Sequence, residues 1–416
     1  MRDSNFLISS YRALDLTDDK SMFCGKLLAH LGADVIKIER PGGDPSRKIG
    51  PFYQDIPDPE KSLFWFAYNA GKRGITLNIE VAEGQEIFKR LVQGADVLIE
   101  SFAPGYMAQI GLNYSELSKI NPGLIMTSIT PFGQDGPYKD YKGPDIVVMA
   151  MGGLMYQCGD QDRPPVRISF PQAYINAGAD AAIGTLIALY YRGISGEGQS
   201  VDVSAQERVV WTSHMAAQWW DLLKVKSKRC GAGVYRERGA IQRDIWPCKD
   251  GYIAYAIIGG VTGARSNRAL VEWMEEEGKA PQFLESMDWL NLDYGSISQE
   301  DYDHIGEPIE AFFKAHTKLE IYEQARKRRI MLLPVATTED IIRNPHLKSR
   351  GFWQEISHPE LNSSIKYPGD FVKLSEASLR PVSRPPLIGE HNEEIYGKEL
   401  GFSRKKLETL KTQGII

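Results

Sequence analysis

An α/β fold, with a parallel sheet covered on both faces, is what this sequence predicts, on three observations. Helix-like and strand-like stretches alternate through the first two hundred residues, the pattern changes after about residue 225, and the first style returns near residue 333. Helices of about ten residues between short apolar strands mark a parallel sheet, because parallel neighbours need crossover connections and bury both faces. Residues 21–31 carry apolar side chains at helical spacing and stop at Gly32, and residues 34–39 (Asp-Val-Ile-Lys-Ile-Glu) alternate as a strand does. An amphipathic helix over 83–92 closes at Gly94 and leads to a strand at 96–100. A short helix at 114–120 leads, through Asn121-Pro122-Gly123, to a strand at 124–130. Residues 179–191 are apolar almost all round, which predicts a buried helix. Gly196-Glu197-Gly198 then turns the chain into an alternating strand at 200–204.

The middle of the chain reads differently. Lys224, Lys226, Lys228 and Arg229 form a basic stretch, and 225–330 mixes short strands with helices. A strand at 252–258 ends in Gly259-Gly260-Val261-Thr262-Gly263, and 312–329 is helical. A helical run at 215–223 holds Trp219 and Trp220. Neighbours on a helix point about 100° apart, and core packing is expected for both. From 333 the first style resumes, ending in a helix that starts at Ser403. The simplest division is a large domain beginning with 1–224, a smaller α+β domain inserted at 225–332, and a return to the large domain at 333–416.

Composition excludes several classes. A net charge of −5 over 416 residues gives no general attraction to nucleic acid or to an anionic membrane, so partners of neither kind are expected. Cys24, Cys158, Cys230 and Cys248 are scattered without a Cys-x-x-Cys pair, which suits a reduced, cytoplasmic protein. The first ten residues lack an apolar signal core, and no stretch approaches the roughly 18 apolar residues of a membrane span. The seven histidines are dispersed, and no metal site is expected.

Several segments carry a resemblance. They are Leu-Gly-Ala-Asp-Val-Ile-Lys-Ile-Glu-Arg-Pro-Gly-Gly-Asp-Pro (31–45), Asn-Ala-Gly-Lys-Arg-Gly-Ile-Thr-Leu-Asn (69–78) and Gly-Ala-Asp-Val-Leu-Ile-Glu-Ser-Phe-Ala-Pro-Gly (94–105). Further along come Ser-Ile-Thr-Pro-Phe-Gly-Gln-Asp-Gly-Pro-Tyr (128–138), Gly-Glu-Gly-Gln-Ser-Val-Asp-Val-Ser (196–204), Asn-Pro-His-Leu-Lys-Ser-Arg-Gly-Phe-Trp (344–353), Pro-Pro-Leu-Ile-Gly-Glu-His (385–391) and the closing Gly-Ile-Ile. In this order they resemble the class III CoA-transferases, the CaiB/BaiF family, which also includes α-methylacyl-CoA racemases. The resemblance implies a Rossmann-like large domain, a smaller domain, and an interlocked dimer whose chains pass through each other like linked rings.

It also implies where chemistry should lie, and there the chain departs from the pattern. Family transferases place an aspartate at the position of Tyr174, in the segment 164–184. Its carboxylate attacks the donor thioester, and the resulting anhydride is converted by CoA to an aspartyl-CoA thioester. Such a nucleophile must be ionised at neutral pH. A phenol, with a reference pKa near 10, is ionised in about one molecule per thousand at pH 7, a handicap of about 4 kcal/mol. Asp180 cannot substitute, because six helical residues turn through about 600° and leave it about 120° from Tyr174. Asp145 matches a helper acid of some family members, and reads equally as an Asp at a helix N-terminus. In the racemases the acid–base histidine would fall at Pro144, which cannot titrate.

For CoA itself, the resemblance carries over Arg40 at the nucleotide end and Lys142 near the CoA site, although each also reads as a solvated surface charge. Other matching positions differ. A lysine reads Glu80, an arginine reads Gln109, and an Asn reads Ser101 in Glu100-Ser101-Phe102. The usual small, Gly-Pro-rich entry to the first helix reads Asp18-Asp19-Lys20-Ser21, whose acids disfavour a polyanion. The run 259–263 is similar to the glycine loop that covers the family's active site, and also reads as an ordinary turn.

No tightly bound cofactor is expected. CoA is the family's substrate, and on this pattern Arg40 and Lys142 are vestiges of its site. The resemblance then implies a non-catalytic subunit of a heteromeric CoA-transferase, paired with a homologous catalytic subunit through which the acyl-CoA and carboxylic acid substrates are engaged. Two alternatives stand beside it: a self-sufficient transferase with a non-standard nucleophile, and a non-enzymatic binding or regulatory homologue.

Overall fold

The computed structural model describes residues 6–235 and 240–416. They group into two compact units. The first takes the chain up to Gly153 together with Ser169–Thr212 and Pro345–Ile416, and the second takes Leu154–Ile168 and Ser213–Asn344. The sequence reading draws its middle block at 225–332, without the stretch 154–168. The Arg229 guanidinium holds that stretch, donating to the carbonyls of Tyr156 (3.2 Å), Asp160 (3.3 Å) and Arg163 (3.1 Å), while Gly231 N–H donates to Gly159 O (2.9 Å).

In the first unit the elements run β1 (Arg12–Leu16), α1 (Met22–His30), β2 (Asp34–Glu39), α2 (Leu63–Asn69), β3 (Arg73–Thr76), α3 (Ala82–Gln93) and β4 (Val97–Glu100). They continue with α4 (Tyr106–Gln109), α5 (Tyr114–Ile120), β5 (Ile125–Thr130), α6 (Asp145–Met151), α7 (Ala173–Ser195), β6 (Gln199–Ser204) and α8 (Ala205–Thr212). The six strands form one parallel sheet in the order β3-β2-β1-β4-β5-β6. That is the doubly wound order, which reverses between β1 and β4. Register keeps like residues side by side, with Leu14 opposite Ile36 on one neighbour and Leu98 on the other.

Strand alternation sorts the two faces. Leu14, Ile36, Ile75, Leu98 and Met126 pack against Ile87, Phe88 and Leu91 of α3 and Leu117 of α5. The same core takes in Ile395, Tyr396, Leu410, Ile415 and Ile416 from the far end of the chain. The opposite face carries Asp15, Lys37 and Thr127, all buried, and Thr127 Oγ1 lies 2.7 Å from Thr185 Oγ1 of α7.

The helix α7 lies where the sequence predicts one, but it is not buried all round. Its inner face is built from small residues, including Ala173, Ala177, Gly178, Ala181 and Ala182. A Cβ at Gly178 would meet Phe23 Cβ at 3.1 Å and Cys24 N at 3.2 Å, so the small face lets α1 approach closely. The outer face exposes Ile183, Ile187 (63%), Tyr190 (75%) and Ile194 (71%). Apolarity on every side of this helix therefore does not mean burial on every side within this chain.

The second unit holds an antiparallel three-stranded sheet of Ile245–Cys248, Gly251–Tyr255 and Leu332–Pro334, with Gly251–Tyr255 central. The helices Gly260–Glu276, Gln299–Ala315 and Lys318–Arg328 share with it a core containing Trp246, Tyr255, Trp273, Phe312 and Phe313. Where the sequence predicts one helical stretch over 312–329, two helices meet, because Thr317 and Glu320 form a reciprocal capping box that starts a new helix. Trp219 and Trp220 are corrected as well. They lie in a π-helical turn, Trp219–Leu223, and both are exposed rather than packed in a core. Among the described residues no helix is long and apolar enough to cross a membrane.

Candidate active site

Open parallel sheets bind ligands beyond the carboxyl ends of their strands, where the strand order reverses. At that place the first unit holds a cavity of about 440 Å³ lined by, among others, Leu16, Ile38, Arg40, Glu80, Phe102 and Tyr106. Arg40 is the one cation among the described lining residues, against Asp18, Glu39, Asp44 and Glu80. The Glu80 carboxylate accepts a hydrogen bond from Tyr106 Oη at 3.0 Å, which fixes a negative charge at the rim. Gln109, at the end of α4, is exposed and does not line this cavity.

The loop from β1 into α1 is closed upon itself. Thr17 donates through N and Oγ1 to Asp15 Oδ1 (2.9 and 2.6 Å), and Lys37 Nζ donates to Thr17 O. Asp18 Oδ1 accepts from Ser101 Oγ (2.8 Å) and from Lys20 N (3.2 Å), and the Lys20 ammonium pairs with the same carboxylate. The Lys20 N–H and ammonium just ahead of α1 thus already serve an internal anion, and an incoming phosphate would have to compete with it.

Tyr174 is the second residue of α7 and is 5% exposed. Its hydroxyl donates to Gly143 O. Burial, followed by the nearby carboxylates of Asp145 and Asp19, pushes the phenol's pKa further above its ordinary value. Asp145 opens α6, yet its side chain does not cap that helix. Its Oδ1 accepts from Ala173 N at 2.9 Å, so it satisfies the first turn of α7 instead. Asp180 lies apart from this group and pairs with Arg208 of α8 at 3.4 Å. A cavity of about 570 Å³ opens beside Tyr174, lined by Lys20, Phe23, Phe64, Tyr68, Asp145 and Phe170 among others.

The carried-over positions are therefore not gathered in one place. Arg40 lines the first cavity and Tyr174 the second, while Lys142 is exposed and lines neither. The glycine run lies in the second unit and opens the helix Gly260–Glu276. Gly260 has φ +74°, and a Cβ at Gly259 or Gly263 would strike the carbonyl of Leu292 or Ile258, so local packing accounts for these glycines.

A buried charge framework beneath the loop escaped the sequence reading. Lys72 Nζ lies 2.7 Å from Asp15 Oδ2, and Lys37 Nζ lies 3.7 Å from Asp44. Burial opposes the charge on Asp15, but the ammoniums of Lys72 and Lys37, with hydrogen bonds from Lys72 and Thr17, hold its carboxyl below the usual range. Arg47 grips Glu39 through two bonds (2.6 and 2.8 Å), reaches Glu60 at 2.6 Å, and lies 3.8 Å over the Trp65 ring. The signal was present, since Asp15 and Lys37 fall between apolar residues inside their strands (Leu-Asp-Leu and Ile-Lys-Ile).

A sequence model of the family described as CoA-transferase family III matches residues 19–392. The chain is 38% identical over 410 residues to the succinyl-CoA:(R)-benzylsuccinate CoA-transferase subunit BbsE of Thauera aromatica, covering 98% of each chain. It is 31% identical over 433 residues to a formyl-CoA:oxalate CoA-transferase of Streptomyces avermitilis, covering 98% of this chain and 99% of that one. The crystal structure of a CaiB/BaiF family protein from Brucella suis matches with a TM-score of 0.81 at 27% identity, covering 95% of this chain and all of the other.

Proposed function

This chain belongs to CoA-transferase family III, and from that premise we propose that it is the supporting subunit of a heteromeric CoA-transferase and lacks a nucleophile of its own. Tyr174 carries the reading. A transferase of the covalent type needs an ionised oxygen free to attack a thioester carbonyl and expel CoA thiolate. Here the corresponding group is a buried phenol, held protonated and committed to Gly143 O. Neither Asp145, which caps α7, nor Asp180, which pairs with Arg208, is placed to replace it.

The nucleotide end supports the same reading. The Glu80 carboxylate, held at the rim of that cavity by Tyr106, disfavours the phosphates of CoA, so Arg40 and Lys142 are remnants on this reading and no cofactor is held tightly. The exposed Ile183, Ile187, Tyr190 and Ile194 on α7 give a homologous catalytic chain an apolar surface to cover, in keeping with an interlocked dimer. By analogy with the Thauera subunit, the donor is succinyl-CoA and the acceptor (R)-benzylsuccinate, both engaged at the partner's site in the cytoplasm.

The test is a CoA-transfer assay on this chain alone, on a homologous chain that carries the aspartate, and on the two co-expressed. Activity is expected only from the pair. Transfer at ordinary enzymatic rates by this chain alone, or full activity of the partner alone, would overturn the proposal.

A further inference from the structure

We infer that His391 is an acid-sensitive latch, which holds the last stretch of the chain over the open edge of the parallel sheet and releases it on protonation. The strand β3 ends the sheet order, so one side of its main chain has no strand to pair with. Leu77 N–H donates inward to Glu39 O of β2, and by alternation Gly74 and Thr76 turn their main-chain groups outward. All four of those groups are taken by residues between 391 and 396. Gly74 N–H donates to His391 Nδ1 (3.1 Å), and Gly74 O accepts from His391 N–H (2.9 Å). Thr76 N–H donates to Asn392 Oδ1 (3.0 Å), and Thr76 O accepts from Tyr396 Oη (2.7 Å). Side chains thus stand in for a seventh strand and blunt an edge that would otherwise template pairing. Gly74 permits the approach, because a Cβ there would meet Pro386 Cγ at 2.7 Å.

Of these three side chains, only the imidazole changes charge in mild acid, since burial pushes the Tyr396 phenol well above its ordinary range. A main-chain N–H can only donate, so its bond to Nδ1 exists only while that nitrogen keeps its lone pair. Protonation sets a second donor in front of the Gly74 N–H, which is buried and loses its acceptor. The charges around the ring do little to reward the proton. Glu390 is already paired with Arg384 (2.6 Å), and Glu394 with Arg73 (2.9 Å). Arg73, on β3, is shared in turn with Asp34 (2.7 Å) and Glu399 (2.8 Å), and it repels an imidazolium. Burial is the largest influence and lowers the imidazole's pKa from its ordinary 6.5, against the pull of Glu390, Glu394 and the Gly74 main chain. A histidine lowered in the folded state contributes its full stability above pH 6.5, and that contribution drains away as pH falls toward the folded value. The segment it holds matters to the fold, because Ile395, Tyr396, Leu410 and Ile416 follow His391 into the core.

Hydrogen exchange of the full chain, read by mass spectrometry as protection factors at pH 7.5 and pH 5.5, tests it. One proton on a group whose unfolded pKa is 6.5 can change the opening of the latch by at most about tenfold over that range. Peptides covering 73–77 and 391–396 are expected to lose protection by about threefold to tenfold, while β5, inside the sheet, keeps its own. Glu100 acts in the opposite direction over the same range, so a global loss is not expected. His391→Asn keeps an acceptor near the Nδ1 position and cannot take the proton, so its protection should not change with pH. Tyr396→Phe should lower protection at both pH values and keep the step. If His391→Asn does not fold, the wild-type profile decides, because the inference requires a one-proton step with its midpoint below pH 6.5, confined to these two segments. An unchanged wild type, an equal loss in β5, or the same step in folded His391→Asn would overturn the inference.

Discussion

Glu100, at the end of β4, shows how one buried side chain sets a pH dependence. Burial raises its pKa to about 7, against hydrogen bonds from Ser128 and from Phe102 N–H, the latter at 2.7 Å. A carboxyl whose folded pKa lies above its unfolded value of 4.5 binds its proton more tightly in the native state. The contribution of this one group to stability is then greatest below pH 4.5, falls as pH rises to 7, and is flat above that, a loss of about 3 kcal/mol. Glu100→Gln keeps an acceptor and removes the charge. It is expected to stabilise the protein in urea melts at pH 8 and to give little gain at pH 5. Gly25 raises a different constraint, because a Cβ there would overlap the Asp15 carboxylate and lie 3.1 Å from Lys72 Nζ. Gly25→Ala must break or displace a buried ion pair and should cost about 3 kcal/mol in the same melts. At this scale the sequence was only partly legible. The segment around Tyr174 could be found from its neighbours, but the Tyr174–Gly143 bond spans 31 residues, and no local pattern encodes it. Lys142 stands next to Gly143 and still lies outside both cavities, since adjacency in the chain does not set a side chain's direction.

Among the elements, β2, β4, β5 and β6 were legible, β1 and β3 were not read, the strand expected at 252–258 is Gly251–Tyr255, and α7 was read as a helix without its surroundings. Short apolar runs between helices leave little choice for a strand buried on both faces, and the expected spans at 34–39, 96–100, 124–130 and 200–204 lie within a residue of β2, β4, β5 and β6. For α7 the composition identified a helix and not its surroundings, because burial by this chain and burial by another leave the same apolar record. That ambiguity can be tested. Ile187→Lys puts a charge at the centre of the exposed stripe without touching the inner face of small residues. It should leave this chain's melting temperature within a few degrees of wild type and abolish co-elution with a homologous catalytic chain on gel filtration. The break between the helices Gln299–Ala315 and Lys318–Arg328 was readable and was missed, since Thr317-Lys318-Leu319-Glu320 has the spacing of a capping box.

For the whole molecule, the family resemblance and the alternating pattern together anticipated a doubly wound sheet, and the strand order agrees. The extent of the second unit was harder to read. Its membership depends on Arg229 reaching back to carbonyls about seventy residues earlier, and linear composition does not register such a bond. The first unit has a long-range closure of its own. Arg47 Nη2 donates to Pro386 O at 2.9 Å, Tyr396 Oη to Thr76 O at 2.7 Å, and Asn78 N–H to Ile415 O at 2.8 Å. Ile395, Leu410 and Ile416 sit in the same core as the first strands. During synthesis β1 to β4 therefore leave the ribosome several hundred residues ahead of the side chains that seal them. Until those arrive, the part of that face which α3 and α5 leave for the C-terminal residues stays bare in the nascent protein, so premature termination should favour aggregation over a shorter working product.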